Sequence, residues 1–165
     1  MRSLEGDRGV AGRRFAVVAS RFNDVVVERL VEGARACFAK LGLPADSLDV
    51  VWVPGAFELP LVARRLAGSG AYDAVVCLGA VIRGETAHFE HVATQAAAGI
   101  ARASLDAGVP VMFGLVTTDT LEQAMDRAGG AQGNKGWDAA AGAVEMAALM
   151  HALPKEPGPW VGETR

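Results

Sequence analysis

The stretch YDAVVCLGAVIRGETAHFEH, residues 72–91, decides the fold. Its first half, to Ile82, is apolar almost without interruption and rich in valine. That is the pattern of a strand buried on both faces, not of one that alternates between core and solvent. Its second half turns through Arg83-Gly84-Glu85-Thr86 and enters a helix, with His88 in the first turn and His91 one turn on. A doubly covered strand that feeds a helix is the start of a βαβ unit.

The same alternation extends outward on both sides. RRFAVVAS (13–20) and LDVVWV (48–53) read as strands, and PVMFGLVTT (110–118) as a fourth. VVVERLVEGARACFAKLG (25–42) carries Val27, Val31, Ala34, Phe38 and Leu41 at helical spacing, with Gly42 placed to stop it. FELPLVARRLAGSG (57–70) reads as a helix whose Pro60 fits only its first turn. Further helices are expected over 86–107, 119–129 and 136–153. The last is small and apolar nearly all round, the mark of a helix buried on more than one side. Four apolar strands separated by helices predict a parallel sheet covered on both faces: an α/β, three-layer α/β/α sandwich of flavodoxin-like type. Residues 1–12 and 154–165, rich in Gly, Pro and charge, read as tails around one domain, 13–153.

Composition narrows the function classes. The chain has 165 residues, enough for one domain with a sizeable core. Its net charge of −3 offers no basic patch for nucleic acid or an anionic membrane. No apolar run reaches the roughly 18 residues of a membrane helix, since Asp73 and Glu145 break the longest candidates. MRSLEGDRG at the start lacks the apolar core of a signal peptide. Cys37 and Cys77 have no metal-ligand spacing and read as reduced buried thiols, so a cytoplasmic location is expected. Half the residues are hydrophobic (51%), an apolar balance that predicts surface covered by further copies of the chain.

In open parallel sheets, ligands bind beyond the carboxyl ends of the strands. That rule selects SRFN (20–23), VPGAFE (53–58), GAVIRGETAH (79–88) and FGLVTTD (113–119). Phe22 either stacks on a planar ring or packs under its loop. Glu58 is either a helix-start acid or an acceptor for a ligand hydroxyl. Gly84, Glu85 and Thr86 lead into a helix whose first N–H groups are free, an arrangement suited to phosphate. A plain cap by Thr86 explains that residue but not the flanking Arg83 and His88. His88, His91, Gln95, Arg102 and Asp106 share one helix face, which solvation alone would explain. His88 differs by its place beside the anion-type turn, where an imidazole can move a proton. No third ligand accompanies His88 and His91, so no metal site is expected. GGAQGNKG (129–136) fails as a P-loop, because Asn134 stands at the second glycine and Gly136 at the Ser/Thr. It reads as a sharp connection between helices, with Arg127 and Lys135 as candidate anion contacts.

Taken together, SRFN, VPGAFELP, GAVIRGETAHFEHV, PVMFGLVTT and RAGGAQGNKG resemble, in order and spacing, the lumazine synthase family over about residues 13–153. The resemblance implies condensation of 5-amino-6-ribitylaminouracil with 3,4-dihydroxy-2-butanone 4-phosphate. Phosphate and water leave, with no cofactor or metal, in the penultimate step of riboflavin synthesis. It implies that Phe22 stacks on the uracil ring and that Ala56, Phe57 and Glu58 line the ribityl chain. Ala80, Val81 and Ile82 would hold the pyrimidine edge, with Asn23 a further candidate contact. Glu85 and Thr86 would bind phosphate through their N–H groups, with Arg127 opposite and Lys135 nearby, and His88 would donate the proton. Phe113 would close the ring site from an adjacent subunit. The family's pentamers, decamers and shells of sixty subunits imply a homo-oligomer, and riboflavin synthase is a candidate partner. The short GNKG turn is more like that of the shell-forming members. Ala131 and Gln132 depart from the family pattern, which leaves Arg127 to carry more of the phosphate, and Asp138 is shorter than the Glu common at its position. Two rival readings are an archaeal-type riboflavin synthase on a similar fold and a non-catalytic relative that holds a flavin or lumazine.

Overall fold

The computed structural model describes residues 3–154. Its centre is the strand the sequence singled out, β3 (Ala74–Ile82), in which every residue except Ile82 at the tip is buried. β1 (Phe15–Ser20) and β4 (Val111–Thr118) pair with it on either side, and β2 (Leu48–Val53) adds beyond β1. The order is β2-β1-β3-β4, and every pairing is parallel. This is the four-stranded parallel sheet expected from the pattern, and helices cover both of its faces.

The period-two geometry of strands sorts the side chains between two cores. Phe15, Val17 and Ala19 of β1, with Val76, Leu78 and Ala80 of β3, face α1 (Asp24–Lys40) and α5 (Lys135–Ala152). Ala16 and Val18, with Val75, Cys77 and Val81, face α2 (Leu59–Ala67) and α3 (His88–Ala107). Each fully buried Val or Leu contributes about 1.5–3 kcal/mol, which is why the central strand needs no polar face. Burial also raises the Cys77 thiol to about 12 and holds the Cys37 thiol above its ordinary value.

Element ends differ from the sequence reading for local reasons. Instead of a continuous helix from Phe57, a single 3-10 turn (Ala56–Glu58) precedes α2, and Pro60 takes the early position where its missing N–H costs nothing. α3 begins at His88, two residues later than expected, so Gly84–Thr86 remain irregular. α4 (Leu121–Asp126) is shorter than 119–129, because a capping box between Thr120 and Gln123 fixes its start. The expected sharp connection over 129–136 contains a two-stranded hairpin, β5 (Ala128–Gly130) with β6 (Gly133–Asn134). Asn134 then caps α5, its Oδ1 accepting from the Gly136 and Trp137 N–H groups, while its Nδ2 donates to the Arg29 carbonyl of α1. Along the segment ahead of β1, Val10 is buried against the α1/α5 core. The carboxyl-terminal tail read at 154–165 lies, beyond Pro154, outside the described residues.

The β2 edge of the sheet carries charge. Asp49 of β2 accepts hydrogen bonds from Arg14 (3.2 Å) and the Tyr72 hydroxyl (2.7 Å). That bond to Asp49 raises the Tyr72 phenol above its ordinary value.

α1 and α5 approach closely where Gly136 faces Leu30: a Cβ on Gly136 would overlap the Leu30 carbonyl. Gly136→Ala is therefore expected to destabilise the chain by about 1–3 kcal/mol in denaturant unfolding. The Cys77 thiol makes stability depend on alkaline pH. Its folded-state pKa exceeds the unfolded value near 9.0, so the protonated folded form is fully favoured below pH 9. That contribution is lost as pH rises toward about 12. Unfolding of Cys77→Ala, compared with the parent over this interval, should show a shallower loss of stability.

Candidate active site

The tips of the first three strands are fastened to one another by hydrogen bonds to main-chain carbonyls. After β1, the Arg21 N–H donates to the Val53 carbonyl (2.8 Å) and the Phe22 N–H to the Pro54 carbonyl (3.2 Å). Asn23 sits in the left-handed region (φ 61°) and its Nδ2 donates to the Ala80 carbonyl (2.8 Å), which ties the start of α1 to β3. These bonds explain why Phe22 is presented outward rather than folded under its loop: it is 71% exposed.

A cavity of about 750 Å³ opens above these tips, walled by the 3-10 turn on one side and the first turns of α3 on the other. Phe22, Asn23, Ala56, Phe57, Glu58, Ala80, Val81, Ile82, Thr86 and His88 all line it. Residues that the sequence could place only in separate segments thus share one concavity. Phe57, like Phe22, is an exposed aromatic (60%), and the two rings give the cavity apolar faces. Ala80, Val81 and Ile82 put the last main chain of β3 along the floor. Glu58 is half-buried.

The polar end of the cavity lies where β3 passes into α3. The Thr86 hydroxyl stands 3.4 Å from the His88 N–H, a long contact for a cap, so this helix start lacks a strong side-chain acceptor. Among the described residues, no protein group accepts from the N–H of Gly84, Glu85, Thr86 or Ala87. Free N–H groups ahead of a long helix suit an anion. The turn itself is clasped from behind. The Arg83 N–H donates to the Thr118 carbonyl at the tip of β4 (2.9 Å), and its Nε donates to Asp119 (2.7 Å). Its Nη1 lies 3.5 Å from Glu90, and the guanidinium sits 4.6 Å from the centre of the Phe89 ring.

Four expected residues are not on this wall. Glu85 is exposed beside the turn. Phe113 is the third residue of β4, well before the strand's tip, and is 50% exposed. Arg127 follows α4 as its C-cap, with its guanidinium donating to the Gln123 carbonyl (2.9 Å). Lys135 pairs with Asp138 (2.9 Å), and its N–H donates to the Arg127 carbonyl (2.8 Å). The hairpin therefore brings Arg127 and Lys135 together, away from the cavity of their own chain. Conversely, His91 and Gln95, which read as part of a solvated helix face, line the cavity with Phe89 and Val92. Their signal was the helical spacing from His88, a residue already assigned to the site. Among the described residues, no group of three or more His, Cys, Asp or Glu side chains is arranged to hold a metal ion, and no helix is long and apolar enough to cross a membrane.

Comparison with known proteins agrees with the geometry. The family model for 6,7-dimethyl-8-ribityllumazine synthase matches residues 12–151. A 6,7-dimethyl-8-ribityllumazine synthase of Desulfatibacillum aliphaticivorans is 53% identical over 148 residues, covering 90% of this chain and 96% of the relative. The match spans the whole sheet and every element that walls the cavity, and on that ground the chain belongs to the 6,7-dimethyl-8-ribityllumazine synthase family.

Proposed function

We propose that the cavity over the sheet tips is where this chain carries out the family's reaction, the condensation of 5-amino-6-ribitylaminouracil with 3,4-dihydroxy-2-butanone 4-phosphate in riboflavin biosynthesis. The observation that carries the reading is the convergence of Phe22, Glu58, Thr86 and His88 on one concavity with an apolar end and an anion-binding end. The heterocycle stacks on Phe22 with its edge along the main chain of Ala80, Val81 and Ile82. The ribityl chain runs past Ala56, Phe57 and Glu58, whose carboxylate accepts from a hydroxyl. Asn23 is already committed to the Ala80 carbonyl and stiffens the ring end of the site.

The phosphate of the second substrate sits on the N–H groups of Glu85 and Thr86. There His88 exchanges the protons that accompany amine addition, loss of water and departure of phosphate. Both reactants are intrinsically reactive, so most of the acceleration comes from holding amine and ketone in attack geometry. Phe113, Arg127 and Lys135 belong in this reading to a neighbouring copy, which closes the ring end with Phe113 and faces the phosphate with Arg127. Their position away from their own cavity supports that assignment. Homo-oligomeric assembly is then a requirement of the site. A pentamer is the smallest ring of the family, a sixty-subunit shell enclosing riboflavin synthase the largest form in view, and the cytoplasm the setting.

The direct test mixes the two substrates with the protein and follows lumazine absorbance together with phosphate release. Absence of both signals would sink the proposal, and conversion of added lumazine to riboflavin instead would favour the riboflavin synthase reading. His88→Ala is expected to slow turnover by about 10²-fold or less without abolishing it. A dead but folded variant would assign His88 more than proton transfer. Arg127→Ala is expected to raise KM for the phosphorylated ketone by about tenfold and to leave KM for the pyrimidine nearly unchanged, as steady-state kinetics with each substrate varied will show.

A further inference from the structure

We infer that Arg83 is a positioning residue for the phosphate turn: its side chain clasps both ends of the irregular segment Gly84–Ala87 and so fixes the direction of that segment's free N–H groups. The inference rests on the function proposed above. Arg83 is not on the cavity wall, so it acts through the turn and not on substrate.

The need for such a clasp follows from the backbone. Gly84–Ala87 belong to no helix or strand, and their N–H groups have no protein acceptor among the described residues. A segment of this kind, with a glycine at its head, has many accessible conformations, and only some aim the N–H groups at one point. The contacts of Arg83 remove that freedom at each end. At the near end, its Nε pairs with Asp119, just after β4, beside the main-chain bond from its N–H to Thr118 at the strand's tip. At the far end, Nη1 approaches Glu90, and the guanidinium packs on Phe89, both in the first turn of α3. Asp119 is itself fixed, its N–H donating to the Gln123 side chain (2.9 Å). The clasp is thus anchored in the capping box of α4. Only arginine can do this with one side chain: its planar fork reaches two carboxylates while its face lies on a ring, and a lysine supplies a single point charge.

Steady-state kinetics of Arg83→Met, Arg83→Lys and Asp119→Asn tests the assignment, with each substrate varied and inorganic phosphate as a competitive probe. Arg83→Met is expected to raise KM for the phosphorylated ketone, and the phosphate inhibition constant, by about tenfold. KM for 5-amino-6-ribitylaminouracil should stay within about twofold. Arg83→Lys should recover part of the loss. Asp119→Asn keeps the positive charge of Arg83 and should still reproduce much of the effect, and the double variant should add little to Arg83→Met. An equal rise in both KM values would overturn the assignment, and so would an Asp119→Asn variant identical to wild type. If Arg83→Met does not fold, Asp119→Asn alone decides. A wild type that forms no lumazine would defeat the functional proposal itself, whereas an active wild type whose variants show no split defeats only the role of Arg83.

Discussion

Burial of β3 on both faces is the constraint from which the rest follows. A strand that gives Val76 and Leu78 to one core and Val75 and Cys77 to the other must lie between two layers of helix. It can be reached only by crossover connections, and those make its neighbours parallel. Parallel strands all end on one side of the sheet. The chain therefore leaves β1, β2 and β3 close together and must turn there three times. The cavity is what those turns enclose. Site and core are consequences of the same apolar run, and a chain that buried β3 on one face alone would have neither.

Rigidity at the strand tips depends on hydrogen bonds to main-chain carbonyls. Arg21 and Phe22 are tied to β2, Asn23 to β3, and Arg83 to β4, so each loop is fixed at its root to a neighbouring strand. Exposed aromatics can then face solvent without collapsing into the core. The unpaired N–H groups at Gly84–Ala87 are affordable for a related reason: they lie at the surface, where water satisfies them. The interior is less complete in one place, since the Ser20 hydroxyl at the end of β1 is buried with no partner among the described residues.

Much of this was legible in the residues. The period-free apolar run of β3 and the helical spacing of α1 and α5 gave the architecture. The strand-end rule selected the segments that wall the cavity. Boundaries were less legible, because they depend on competitions a linear pattern does not record. The capping box of Thr120 and Gln123 shortens α4, and the pairing of Ala128 with Asn134 turns an expected plain connection into a hairpin. His91 and Gln95 read as solvated because a polar helix face and a cavity wall have the same spacing; only the fold shows what stands opposite. Phe113, Arg127 and Lys135 mark a different limit. Their place in one chain says only where they are not: none lines the cavity, and a linear pattern does not record what faces them.

The ion pair on β2 has a bearing on how such a chain survives at high concentration. An outermost strand offers a row of unpaired peptide groups to any extended segment that drifts by. Here the second residue of that strand is an aspartate, bound to Arg14 and to the Tyr72 hydroxyl. A stray segment laid alongside would have to tolerate or dismantle that charged cluster before its register could form. Charge placed on an outermost strand in this way works against open-ended pairing of sheet to sheet.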